Sequence, residues 1–99
     1  MEELELLYKT YYEMQMEITK RLIAVRKKRK ISQKRLAVIS GVSYASIRRF
    51  ENTGDISFAS FIKIVMALRL YDDLENLFKA KEIYSSIEEV IDARKNRRL

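Results

Sequence analysis

The chain has no cysteine and no histidine. Without thiols there is neither a disulfide framework nor a thiolate metal site. Without imidazole, the commonest general base and the commonest metal ligand are missing. The remaining Ser, Asp, Glu, Lys and Tyr form no recognisable catalytic constellation. No enzymatic activity, metal or cofactor is therefore expected. Proline is absent and only two glycines occur, Gly41 and Gly54, so little interrupts a helix. No apolar run approaches the ~18 residues that span a bilayer. Glu2 and Glu3 behind Met1 carry the wrong charge for a secretion signal. The expectation is a soluble cytoplasmic protein with no membrane contact. One more absence says the most: no acidic residue lies between Glu17 and Glu51.

That acid-free window, residues 18–50, holds eleven basic residues: Lys20, Arg21, Arg26, Lys27, Lys28, Arg29, Lys30, Lys34, Arg35, Arg48 and Arg49. Residues 1–17 carry a net charge of −4, the window +11 and residues 51–99 −1, within a total of +6. A charge serving solubility alone needs no such segregation. A surface of this sign attracts phosphate.

Ninety-nine residues, 47% of them hydrophobic, suffice for one small packed domain. The apolar residues recur at helical spacing, so the chain is expected to be all-α. The first segment, about Glu2 to Lys30, contains no breaker and carries the stripe Leu4, Leu7, Tyr11, Met14, Ile18, Leu22 and Val25. It reads as one long helix or as two meeting near residues 14–18. With fewer than four clean heptads, packing on the core is favoured over a coiled coil. Ser32 is placed to cap a second helix ending near Ile39, Ser43 a third reaching about Glu51, and Ser57 a fourth with the stripe Phe58, Phe61, Ile62, Val65 and Leu68. A fifth helix is expected over Asp72 to about Ala80 with Leu74, Leu77 and Phe78 inward. Ser86 and Glu89 fit a capping box for a sixth, showing Ile87, Val90 and Ile91.

Residues 33–50 have the register of a helix-turn-helix. Ala37 is small where the second helix must approach. Gly41, four residues later, tolerates the positive φ that ends the first helix. Ile47 plugs the angle between the helices, flanked by Leu36, Val42 and Phe50. The outward face of the third helix then offers Tyr44, Ala45, Ser46, Arg48 and Arg49. Small Ser and Ala side chains permit close approach, Tyr44 can meet sugar or phosphate, and either arginine can pair with guanine or clamp phosphate. The candidate DNA-binding residues are thus Gln33, Lys34, Ser43, Tyr44, Ala45, Ser46, Arg48 and Arg49. The basic run 26–30 is expected to add backbone phosphate contacts.

Residues 20–78 resemble the Cro/C1-type (XRE) helix-turn-helix family. The resemblance is carried by Arg21-Leu22 through Arg26, Ile31-Ser32-Gln33, Leu36-Ala37, Ser40-Gly41-Val42-Ser43, Ile47 and Phe50-Glu51. It implies a compact five-helix bundle, double-stranded operator DNA as partner, and a homodimer on pseudo-palindromic sites. It also implies that Gln33 binds a DNA phosphate and braces the recognition helix. Added to that bundle would be an N-terminal helical extension (1–18) and a C-terminal amphipathic helix with a basic tail (81–99), leaving 19–80 as the DNA-binding domain. More narrowly, residues 44–58 and 84–98 look like HipB-like antitoxins, which repress their own operon and bind a HipA-type kinase toxin. A phage- or plasmid-type Cro-like regulator, or an interaction adaptor on the same fold, are the alternatives.

Overall fold

The computed structural model describes residues 9–79, 87–92 and 94, and they contain helices and no strand. Five helices follow one another: α1 (Tyr11–Lys28), α2 (Gln33–Ser40), α3 (Tyr44–Thr53), α4 (Phe58–Ala67) and α5 (Tyr71–Glu75). Residues 87–92 are also helical, and Ile87, Val90 and Ile91 stand about half exposed there. The expected helical start at Glu2, the positions Leu4 and Leu7, the cap Ser86 and most of the basic tail lie outside the described residues.

Hydroxyl caps set the starts of the first four helices. Thr10, Ser32, Ser43 and Ser57 each hold an extended φ/ψ and accept the backbone N–H three residues on. That arrangement satisfies one of the otherwise orphaned N-terminal donors, worth ~0.5–2 kcal/mol per cap. Thr10 makes α1 begin at Tyr11. From there it runs unbroken through residues 14–18 to Lys28, so it is one helix there, and it crosses the division drawn at residue 18.

With so few glycines, α1, α4 and α5 end without one, and after the first two a residue with a side chain takes glycine's place. Lys30 and Arg69 take the left-handed conformation, at φ 58° and 63°. In each case the next residue's N–H closes back five positions, Ile31 to the Arg26 carbonyl and Leu70 to that of Val65, both at 3.1 Å. These bonds satisfy helix-end carbonyls and offset the ~1–2 kcal/mol cost of a Cβ in that region. Gly41 and Gly54 end α2 and α3 at φ 75° and 76°. The third helix therefore runs two residues past its expected end near Glu51, through Asn52 and Thr53.

The core joins all five helices. Leu22 of α1, Leu36 of α2, Val42 of the turn, Ile47 and Phe50 of α3, Ile64 and Val65 of α4 and Leu68 after it are buried together. Ile47 is fully buried, as the plug of the helix-turn-helix angle must be, and Ala37 packs against this cluster. Phe50 meets Phe61 edge-to-face, with ring centroids 6.3 Å apart.

Several stripe positions fall elsewhere. Tyr11, Met14 and Ile18 are exposed, so α1 packs through Leu22 and Val25. On α4 the stripe is rotated: Ile64 is buried while Phe58 is 78% exposed. On α5, only Leu74 packs inward, and Leu77 and Phe78 are exposed. The reason is the early end of α5 at Glu75, which breaks the helical register that would have carried those two side chains to the core.

Candidate nucleic-acid interface

The candidate surface is built by α2 and α3, joined by the turn Gly41-Val42-Ser43. The Gly41 N–H closes on the Ala37 carbonyl, and the Val42 N–H is held by the Ser40 hydroxyl at 3.1 Å. Buried Val42 and Ile47 then fix the helices against one another. What remains outward on α3 is Tyr44, Ala45, Arg48, Arg49 and Asn52, all exposed, with Ser46 partly so.

The eight expected residues do not form one uniform patch. Ser43 and Ser46 are engaged locally. The Ser43 hydroxyl accepts from the Ser46 N–H at 3.1 Å and donates to the Ser46 hydroxyl at 2.8 Å. They shape the N-terminus of α3, whose dipole favours phosphate. Tyr44 stands beside two cations. The Lys34 ammonium lies 5.7 Å from its ring centroid and the Arg48 guanidinium 5.6 Å. Lys34, Tyr44 and Arg48 are thereby brought together across the α2–α3 junction. Arg49, one residue on, pairs instead with Asp55 at 2.7 Å, with 70% of its side chain exposed. Arg49 and Asp55 line a polar cleft of about 340 Å³ with Ser46, Ile56, Ser57 and Ser60.

Gln33 sits at the first position of α2, partly buried. Its Nε2 donates to Glu51 Oε1 at 2.9 Å, tying α2 to α3. Glu51 is in turn held by Arg26 of α1. The Arg26 Nε donates to Oε2 at 2.7 Å and Nη2 to Oε1 at 2.9 Å, while Nη1 donates to the Ile31 carbonyl at 2.8 Å. The pair is 10% and 9% exposed. Among the described residues no buried side-chain polar atom lacks a partner, so the network is complete as it stands.

This network corrects the expectation for the basic run. Arg26 does not belong to the outward cations; it is spent inside on Glu51. Lys27, Lys28, Arg29 and Lys30 do remain exposed at the end of α1, continuous in sequence with α2. Three contributors went unseen as such from sequence. Glu51 holds Gln33 in place, Asp55 engages Arg49, and Asn52 extends the outward face one turn beyond Arg48. A signal was present for Glu51, which is the first acid after thirty-three positions without one. An acid retained at the edge of such a window is a candidate internal partner for one of its cations.

Among the described residues no group of acidic side chains is placed to hold a metal ion. No helix among them is long and apolar enough to cross a membrane. No curated protein and no solved structure matches the chain. A family model does: the helix-turn-helix model HTH_3 matches residues 22–74, just over half of the chain. The match runs from the core residue Leu22 through both helices of the motif to Leu74, the last side chain packed on the core among the described residues. The chain belongs to the XRE-type helix-turn-helix family of DNA-binding transcription regulators.

Proposed function

We propose that this protein is a sequence-specific repressor that binds double-stranded operator DNA as a homodimer and has no catalytic activity. The observation that carries this reading is the coincidence of an exposed α3 face, bearing Tyr44, Ala45, Arg48 and Arg49, with the acid-free cationic segment around it. The exposed Lys27–Lys30 run and Lys34 neutralise backbone phosphates, while α3 enters the major groove. The site in DNA is then set by side chains at the N-terminal half of α3. A homodimer fits the exposed apolar side chains at the α5 end, Tyr71, Leu77 and Phe78, which lie outside the core.

Within that function, the protein is proposed to be a HipB-like antitoxin that autoregulates its operon and binds a HipA-type kinase toxin. Support comes from the run 44–58, and from the helix at 87–92, whose half-exposed Ile87, Val90 and Ile91 precede a basic tail. Residues 1–18 would be the extension that distinguishes it from a minimal domain, and the cytoplasm its compartment. Co-purification of a protein kinase on the tagged chain, from cells carrying its natural operon, supports the antitoxin role. A regulator of Cro-like type would purify alone.

Fluorescence anisotropy tests the DNA function. At physiological salt, duplexes from the region upstream of the coding sequence are titrated against a scrambled control. Preference of about a thousandfold or more for the native duplex is expected of an operator binder. Equal, strongly salt-dependent affinity for both would reduce the contact to the backbone and favour an adaptor role.

A further inference from the structure

The two adjacent arginines of α3 meet different surroundings. Arg48 places its guanidinium 5.6 Å from the ring centroid of Tyr44, one helical turn before it. A cation–π contact restrains the guanidinium without an acceptor atom, so its N–H donors remain available for a base. Lys34, 5.7 Å from the centroid of the same ring, joins Tyr44 to the cationic cluster. Arg49 is engaged by an anion instead: its Nη2 lies 2.7 Å from the Asp55 carboxylate. That carboxylate has the charge and oxygen geometry of a phosphate. It lines a cleft with the hydroxyl residues Ser46, Ser57 and Ser60, and neither Lys34, Tyr44 nor Arg48 is among the lining residues. Both Arg49 and Asp55 are largely exposed, at 70% and 59%, so the pair is weak and displaceable.

We infer that Arg48 is the base-reading arginine of α3, positioned by the Tyr44 ring, while Arg49 serves the phosphate backbone and is occupied by Asp55 until DNA displaces that carboxylate. The inference rests on the DNA-binding reading above and divides its labour. Tyr44 is a positioning residue: its ring is needed and its hydroxyl is not. Asp55 is a restraint that lowers non-specific affinity, because a free duplex must outcompete an internal anion before it gains the Arg49 contact. Specific complexes, which gain Arg48–guanine contacts as well, overcome it.

The test starts from duplexes selected by the full-length protein out of a randomised pool, compared with a scrambled control at two salt concentrations. Arg48→Ala should reduce the preference for the selected duplex by roughly ten- to a hundredfold. Arg49→Ala should weaken both duplexes equally and flatten the log–log salt dependence by about one phosphate. Tyr44→Phe should keep the preference, and Tyr44→Leu should lose most of it at an unchanged melting temperature. Asp55→Asn should tighten binding to the scrambled duplex a fewfold, and that gain should vanish in the Arg49→Ala background. Equal loss of preference in the two arginine variants, or loss in Arg49→Ala alone, overturns the assignment. A Tyr44→Phe variant as impaired as Tyr44→Leu overturns the role of the ring. An Asp55→Asn gain of the same size with and without Arg49 overturns the restraint. Failure of the unaltered protein to select any duplex overturns the DNA-binding reading itself, and the inference with it.

Discussion

Replacing Glu51 by leucine is expected to lower stability by about 3–5 kcal/mol, the largest effect of any single change outside the apolar core. The substitution leaves the Arg26 guanidinium buried with its Nε and Nη2 donors unpartnered, and releases Gln33 from α3. In a domain of this size that corresponds to a fall in melting temperature of roughly 15 °C or more. It would consume a large part of a total stability of about 5–15 kcal/mol. Arg26→Met should be about as costly, because it strands the carboxylate and removes the bond to the Ile31 carbonyl. The double variant Arg26→Met/Glu51→Leu should recover most of the loss, since a well-packed apolar pair removes both desolvation penalties. Thermal and urea unfolding of the three variants check this. Single variants within about 1 kcal/mol of the parent would show that the pair is screened like a surface ion pair. The recovered double variant should still bind DNA less well, because Gln33 has lost its acceptor on α3. Stability and DNA affinity would then separate, which identifies the network as a brace for the site as well as for the fold.

Gly54→Ala is expected to cost about 3 kcal/mol, and Gly41→Ala only about 1–2 kcal/mol. Both glycines occupy the left-handed region, so each alanine bears the conformational penalty. At Gly41 a Cβ would meet nothing within 4 Å. At Gly54 it would stand 2.9 Å from Met16 Sδ, 3.2 Å from Gln15 Cγ and 3.3 Å from Thr19 Oγ1. Thr19 is buried and bonded to the Gln15 carbonyl at 2.8 Å, and the Gln15 side-chain amide donates to the Gly54 carbonyl. The end of α3 is therefore seated directly on α1, and a methyl there would separate them. Equal melting temperatures for the two variants would mean that α1 yields at no cost, against this packing. Gly41 is the position a helix-turn-helix pattern draws attention to. The structure makes Gly54 the more demanding of the two.

The parts of this fold that could be read in the sequence are those fixed by local chemistry. Ser32, Ser43 and Ser57 announce helix starts because a hydroxyl before a helix has few better uses. Gly41, Ala37 and Ile47 announce the helix-turn-helix because three steric demands fall at fixed spacings. The fold class and the family followed from these. What stayed hidden depends on neighbours far along the chain. Arg26 looks like one cation among five, and only its contact with Glu51, twenty-five residues on, sets it apart. Thr10 was masked as a helix start by an apolar pattern that continues on either side of it. Lys30 and Arg69 end helices without glycine, so neither position advertises a stop. Phe58 and Phe78 are aromatic residues that periodicity assigns to the core, yet the rotation of α4 and the shortness of α5 leave both exposed. On the candidate site, the residue types were legible and their pairings were not. That Arg48 and Arg49 differ at all is a consequence of their neighbours, Tyr44 beside the one and Asp55 beside the other.

The most direct test of the central claim, that α3 with the start of α2 is the surface that meets DNA, is amide chemical-shift mapping. A ¹⁵N-labelled protein is titrated with a duplex it selects. The account predicts that the largest shifts fall on Gln33–Arg35 and Ser43–Arg49, with smaller ones along Lys27–Lys30 and around Asp55, and with little change at Tyr11–Ile18 or at the end of α4. Shifts concentrated on Tyr11, Met14, Ile18 and Phe58, or spread without preference over all cationic segments, would contradict it.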